Sequence, residues 1–237
     1  MTGASASSLS DDRIRRGMAL QLEARAERVA SGARPIGWKV GFGAPAALSR
    51  LQLPGPLIGF LTDATLLTSG ASVSIGDWVR PVAEPEIAVY VGSRLGDGAD
   101  ERTVRASIRS LGAAIELADV FEETDDVERI LASDIFHRGL VLGRPDPSLT
   151  GGRLEGLEAR VTVDGDRLAS TSELEALTGP LLEIVGYVAH YLAQVGGVLD
   201  AGDVVIAGSV VPPIPIRPGQ ELVYQLNPLD AISLTFA

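Results

Sequence analysis

The sequence predicts a mixed, β-rich α+β fold. Three observations lead there. Runs with strand character outnumber helical ones and arrive in hairpin-like succession instead of alternating with helices. The glycine fingerprints of dinucleotide-binding and P-loop folds are both absent. The chain has 237 residues with 46% hydrophobic content, enough for one substantial core. The division expected is a disordered tail over 1–8, an N-terminal helical and loop lobe over 9–72, and a β-rich domain over 73–237. The last two can equally form one continuous domain over 9–237.

The elements follow in order. Residues 10–32 form the clearest helix, with Ser10 as N-cap and Asp11 and Asp12 in the first turn. Ile14, Met18, Leu22, Ala26 and Val29 recur along it at helical spacing, and Gly32 stops it. Residues 35–42 read as a short strand, and Pro45 opens a short helix. Residues 54–82, rich in Gly, Pro and Thr, read as loops with short strands. Residues 84–91 are a strand, 101–111 a helix, 113–120 a strand and 126–136 a helix. Residues 139–143 and 157–170 are strands, the second carrying an Asp164-Gly165 hairpin signal. An amphipathic helix spans 180–196, and strands at 203–209, 220–226 and 231–237 finish the chain.

Composition removes several classes of function. Net charge is −11 and no Lys/Arg cluster stands out, which argues against nucleic acid and anionic membrane as partners. There is no cysteine, which excludes disulfides, thiol catalysis and thiolate metal sites. Two histidines argue against a histidine-rich zinc site. The opening "MTGASASS" lacks the apolar core of a signal peptide, and no run has the apolar length of a membrane span. The expectation is a soluble cytoplasmic protein.

The stretch "EPEIAVYV" (84–91) carries the first chemical signal. In a strand, Glu84, Glu86, Ala88 and Tyr90 share one face, and Pro85, Ile87, Val89 and Val91 the other. Two carboxylates therefore lie side by side above a small residue. A solvated strand end explains that arrangement; so does a site for a hard cation such as Mg²⁺. The same parity test puts Glu116 between Ala114 and Ala118, opposite Ile115 and Leu117. It puts Lys39 between Gly37 and Gly41, opposite Trp38, Val40 and Phe42. Three strands each set a charged group among small neighbours, opposite a bulky apolar face.

"ARPIGWKVGF", "EPEIAVYVG", "AAIELADV", "GLVLG" and "LDAGDVVIAGS" follow one another in an order that resembles the fumarylacetoacetate hydrolase superfamily. The branch it is most similar to is that of the 2-keto-4-pentenoate hydratases and 4-oxalocrotonate decarboxylases. Its most specific part is the joint pattern G-x-K-x-G, E-x-E and a third glutamate thirty residues on. The resemblance implies a mixed β-roll or β-sandwich core with peripheral helices, assembled as a homo-oligomer. It implies that Glu84, Glu86 and Glu116 hold one divalent ion, Mg²⁺ or Mn²⁺, and that Lys39 matches the family lysine. Gly41, Arg138 and Ser209 fall where substrate contacts are expected. The implied activity is a metal-dependent lyase acting on a short 2-keto or 2-hydroxydienoate acid, with a partner enzyme of the same pathway as a further expectation. The rivals are a 4-oxalocrotonate-type decarboxylase, an acylpyruvate C–C hydrolase, and a catalytically inactive scaffold subunit.

The chain departs from the family pattern twice. Where hydratases carry an Asp-Asn pair and small residues it reads "SDIFHRGLVLG", with Asp134, His137 and Arg138. After G-x-K-x-G, where Thr-Ser is usual, it has Phe42 and Gly43. His137 reads either as a structural histidine after a helix or as a general acid/base beside Arg138. His190 lies on the polar face of its helix with Glu183, Tyr187 and Gln194, a solvent face. The acidic run 122–126 is a solvated loop or a cover for the site. No G-x-S-x-G elbow supports a serine hydrolase.

Overall fold

The computed structural model describes residues 10–122 and 125–237. The tail expected over 1–8, and Glu123 and Thr124 of the acidic run, lie outside the described residues. The elements are α1 (Asp12–Ala30), β1 (Pro35–Gly41), α2 (Pro45–Leu51), β2 (Leu57–Thr62), β3 (Leu66–Leu67), β4 (Ala71–Val73), β5 (Pro81–Val91), α3 (Glu101–Ser107), β6 (Ile108–Asp119), α4 (Val127–Ala132), β7 (His137–Leu142), β8 (Glu158–Val163), β9 (Asp166–Thr171), α5 (Leu181–Gln194), β10 (Val204–Ser209), β11 (Ile214–Pro215), β12 (Glu221–Asn227) and β13 (Asp230–Phe236).

Two mixed sheets organise them. The first runs β2-β1-β10-β5-β6-β7-β3, with β11 paired to β5; the second runs β4-β13-β12-β8-β9. Ile87, Val89, Ile115 and Leu117 of the first sheet join Val161, Leu222, Ile232 and Leu234 of the second in one core. On the opposite face of the first sheet, Ala88, Tyr90, Ala114 and Leu140 form a separate small cluster. The fold is thus the β-rich α+β architecture read from the sequence. The stretch assigned to an N-terminal lobe supplies β1 and β2 to the same sheet as β5, so hydrogen bonding crosses residue 72.

Several boundaries differ from the sequence reading, each for a local reason. The N-cap of α1 is Asp11, not Ser10: its Oδ1 accepts from Arg13 N at 2.9 Å. The buried face of α1 is Ile14, Gly17, Met18 and Gln21, and Ala26 is exposed. Gly17 lets α1 cross α4 closely, since a Cβ there would lie 2.8 Å from Leu131 Cβ. The helix read over 101–111 ends at Ser107, because Ile108 onward pairs with β5 and that pairing overrides local helical spacing. The stretch 54–82 contains β2, six residues all buried between neighbouring elements. The helix read over 126–136 stops at Ala132, and Asp134, Ile135 and Phe136 then turn left-handed, with φ of 55°, 53° and 63°. The Asp164-Gly165 hairpin forms as read, with φ of 53° and 84°. Among the described residues no helix is long and apolar enough to cross a membrane.

Candidate active site

Sheet register gathers the charged residues on one face. Glu84 lies opposite Glu116 across β5 and β6. Lys39 is paired with Ile206 of β10, and Ile206 with Ala88 of β5, so Lys39 shares the face of Glu84 and Glu86. The period-2 alternation explains why three strands contribute to one wall.

Lys39 is 2% exposed, as is Glu116. Its ammonium forms an ion pair with Glu116 Oε1 and donates to the carbonyl of Ile135 at 3.3 Å. The space for the side chain comes from β2: a Cβ on Gly59 would lie 2.8 Å from Lys39 Cε and 2.9 Å from Asp134 Oδ1. The two glycines that flank Lys39 do other work. A Cβ on Gly41 would meet Ile135 Cγ2 at 2.8 Å, and Gly37 lets β10 approach, its Cβ position lying 1.8 Å from Val204 O. His137 holds Glu116 from behind, with Nδ1 2.8 Å from Glu116 Oε1 and Nε2 3.0 Å from Thr65 Oγ1.

The electrostatics follow from burial and proximity. Burial works against the Glu116 carboxylate, but Lys39 and His137 outweigh it and hold its pKa below the ordinary value. Burial likewise opposes the Lys39 ammonium, and Glu116, Asp134 and Glu84 outweigh it, raising that pKa. Glu84 is pushed up to about 7, first by burial and then by the charge of Glu116. Glu86 is raised by burial and by its two carboxylate neighbours, against the hydrogen bond its Oε2 accepts from Gly208 N at 2.6 Å. Its Oε1 is buried with no hydrogen-bond partner. As the side chains stand, no three acidic or imidazole groups among the described residues are drawn together closely enough to enclose an ion. Glu116 is turned toward Lys39 and His137.

A cavity of about 300 Å³ opens onto this wall. Its charged lining is Lys39, Glu84, Glu116 and, on α2, the exposed Arg50. Phe42, Val120, Phe136 and Leu177 are among its apolar walls. Phe42, Ile135 and Phe136 all line it from left-handed backbone conformations, which concentrates strain at this one place.

The structure brings together Lys39, Glu84, Glu116, Gly41 and Ser209 on the cavity wall. Glu86 is buried behind it, and His137 behind Glu116. Ser209 spends its single hydroxyl proton on backbone carbonyls, Val211 O at 2.5 Å and Pro85 O at 3.3 Å, so as it stands it can accept from a ligand but not donate. Arg138, read as a substrate contact, points away from the cavity. The β6–β7 register shifts between Leu117 and Ala118, so His137 pairs with Ala118 and reaches Glu116, while the extra residue Arg138 lies over Trp78 and Phe121 and 3.5 Å from Asp119. His190 faces outward as expected, with Nδ1 2.5 Å from Asp97.

Sequence reasoning gave no role to Asp134, Gly59 or Thr65. Only the third dimension places them at the lysine and its partners. Composition marks the lysine on its own: Lys39 is the sole lysine of the chain, and the other 19 of its 20 basic residues are arginines.

Comparison with known proteins places this geometry among relatives. The chain is 24% identical over 215 residues to a 4-oxalocrotonate decarboxylase of Pseudomonas sp, covering 89% of this chain and 82% of the relative. It is 26% identical over 214 residues to a 2-hydroxyhexa-2,4-dienoate hydratase of Comamonas testosteroni, covering 88% and 81%. Among solved structures, 4-oxalocrotonate decarboxylase from Pseudomonas putida G7, complexed with magnesium and adipate, superposes with a TM-score of 0.86 at 23% identity, covering 98% of this chain and 91% of the other. The shared architecture and the motifs on its charged wall agree with a match of residues 38–235 to the fumarylacetoacetate (FAA) hydrolase C-terminal family, to which this chain belongs.

Proposed function

We propose that the chain is a divalent-metal-dependent lyase acting on a short 2-keto or 2-hydroxydienoate acid, of the 2-keto-4-pentenoate hydratase type. The observation that carries this reading is the wall of Lys39, Glu84 and Glu116, with buried Glu86 behind it, against a cavity otherwise lined mainly by apolar residues. The residues fit a cation. Burial and then the Glu116 charge raise the pKa of Glu84, burial and both neighbouring carboxylates raise that of Glu86, and Glu86 keeps one buried oxygen without a partner. Glu84, Glu86 and Glu116 would hold Mg²⁺ or Mn²⁺. When bound, the ion would supply Lewis-acid polarisation of a 2-keto group and charge stabilisation for an enolate.

The chain's own groups do the rest. Lys39 has three N–H donors and spends two, on Glu116 and on Ile135 O, which leaves one for the substrate. It acts as a fixed ammonium at the wall, holding a proton at Nζ and orienting an anionic ligand. His137 keeps Glu116 in place and acts as a positioning residue. Its place behind Glu116 favours a lyase over the hydrolase reading, which needs a base that reaches a water in the cavity. The apolar walls exclude water from the reacting end.

Decarboxylation is the second reading, favoured by the similarity to 4-oxalocrotonate decarboxylases over most of the chain. The homo-oligomer, the cytoplasmic setting and a partner enzyme of the same pathway belong to the same proposal. A monomer mass by light scattering would remove the first. The deciding experiment incubates the Mg²⁺-loaded protein with 2-hydroxypenta-2,4-dienoate, 4-oxalocrotonate and acetylpyruvate and identifies the products. Turnover of none of them, or the lack of stoichiometric metal binding, would overturn the reading.

A further inference from the structure

The left-handed turn after α4 presents two groups to the lysine. Its stretch Asp134–Phe136 contains three consecutive non-glycine residues at positive φ, a conformation that costs on the order of 1 kcal/mol or more per residue and persists where the surroundings enforce it. Here the surroundings are specific. Phe60 N donates to Asp134 Oδ1 at 2.9 Å, tying the turn to β2. Ile135 N donates to Ile130 O at 2.8 Å, and the Ile135 side chain occupies the space that Gly41 leaves. Gln21 Nε2 donates to Leu131 O at 3.0 Å and secures the end of α4 just before the turn. Ile135 O then accepts from Lys39, while Asp134 Oδ1 and Lys39 Cε both lie within 3 Å of one Cβ position on Gly59. Asp134 is 5% exposed, and its Oδ2 has no hydrogen-bond partner. Among the described residues the cation within ion-pair reach of that oxygen is Arg28 of α1, at 3.9 Å, while Lys39 feels the Asp134 charge from farther off.

We propose that Asp134 is a positioning residue for Lys39: its charge and the turn it anchors hold the ammonium against Glu116 and Ile135 O, so that one N–H is left for the substrate. The arrangement explains why a strained turn is kept beside the cavity. An uncharged residue able to accept from Phe60 N would anchor the turn equally well, yet a carboxylate is buried here. The raised pKa of Lys39, to which Asp134 contributes after Glu116, agrees with this geometry. The kinetic arm of the test rests on the lyase reading; the spectroscopic arm does not.

The test uses the sole lysine. Protein grown on lysine labelled with ¹⁵N at Nζ gives a single side-chain ammonium resonance, that of Lys39. In Mg²⁺-loaded protein, Asp134→Asn keeps an oxygen for Phe60 N and removes the charge. The expected result is an unchanged melting temperature and Mg²⁺ affinity, a shifted or broadened Lys39 resonance, and kcat lowered roughly 10- to 100-fold at nearly constant KM. A parental resonance with parental kcat would overturn the proposal and leave Asp134 as an anchor alone. Should the Asn variant not fold, Arg28→Met decides. Removing the other cation beside Asp134 should move the Lys39 resonance in the sense opposite to the Asn variant, or upfield or downfield at all where that variant is missing; an unmoved resonance would overturn the proposal. A parent inactive on all three substrates would remove the lyase reading, and the resonance would still decide this one.

Discussion

The two sheets use the same period-2 alternation for opposite ends. In the second sheet, β12 and β13 alternate buried Leu222, Tyr224, Leu226, Ile232, Leu234 and Phe236 with residues that reach solvent. Glu221 there is exposed to water. In the first sheet, β5, β6 and β10 are buried on both faces for most of their length. Charges there survive by compensating one another, as Lys39 and Glu116 do. A polar residue in one sheet is thus a solubilising choice, and in the other it belongs to a network whose parts cannot be removed singly.

The sharpest way to break that comparison is to neutralise one glutamate in each sheet. Glu116→Gln leaves Lys39 buried without its ion partner. Loss of roughly 3–5 kcal/mol of stability is expected, together with at least about a 10³-fold loss of turnover. Glu221→Gln in the second sheet should stay within about 0.5 kcal/mol and leave kinetics untouched. Urea denaturation and steady-state assays on both variants check this; equal costs would erase the distinction.

Next in size is Lys39→Met. Losing one charged partner in a desolvated site costs about 2–4 kcal/mol, or roughly a 30- to 1000-fold effect. If the lysine acts in the transition state, kcat and kcat/KM fall together; if it only binds the carboxylate, KM alone rises. Parental kinetics would deny the lysine any role at the wall.

How far the sequence was legible follows the same division. Alternation along a single strand needs no partner to be seen, so the shared face of Glu84 and Glu86 and the placement of Glu116 and Lys39 could be read directly. The Asp164-Gly165 hairpin was legible because its chemistry is confined to two residues. Asp134 was not: its neighbours suggest a helix running through it, and its role arises from Phe60 and Lys39, 74 and 95 positions away, brought close by the β1–β2 pairing. Ile108 was misread for the same reason, since its strand state is dictated by β5. Arg138 was placed at the substrate by the family resemblance of its segment, and a bulge in the β6–β7 pairing, which a single strand's alternation does not reveal, decides which side chain there reaches Glu116.

Acidity sharpens the comparison further. Glu84 is raised from 4.5 to about 7 in the folded, metal-free protein. Folding therefore favours its protonated form. The stabilisation is fully present below the unfolded value and is lost as pH rises through about 7. Asp134, raised from 3.8 to about 6 chiefly by burial, acts in the same sense over a lower window. Glu116, depressed, acts oppositely: it stabilises above its unfolded value and loses that contribution as pH falls. Between about pH 5 and pH 8 the metal-free protein should lose on the order of a few kcal/mol. A divalent ion, which needs the carboxylates ionised, should reverse the trend and bind more tightly as pH rises toward 7. Melting temperatures with chelator and with Mg²⁺ across that range measure both. A flat metal-free profile would show that the carboxylates do not crowd one another.

The smallest effects distinguish two glycines that serve the two sheets differently. Gly165 has φ of 84° and open space where a Cβ would be, so Gly165→Ala strains only the backbone. The expected cost is about 1–2 kcal/mol, with activity unchanged. Gly59 has ordinary backbone geometry, but its added methyl would press on Lys39 Cε and Cγ at 2.8 Å and on Asp134 Oδ1 at 2.9 Å. Overpacking typically costs about 1–3 kcal/mol. Because the displaced atoms belong to the lysine, turnover should also fall by roughly tenfold, as expected when a reacting group is misplaced by a fraction of an ångström. The pair thus matches in stability and separates in kcat. If Gly59→Ala turned over substrate at the parental rate, Lys39 would have room to move without consequence, and the first sheet would be using its buried charge for folding alone.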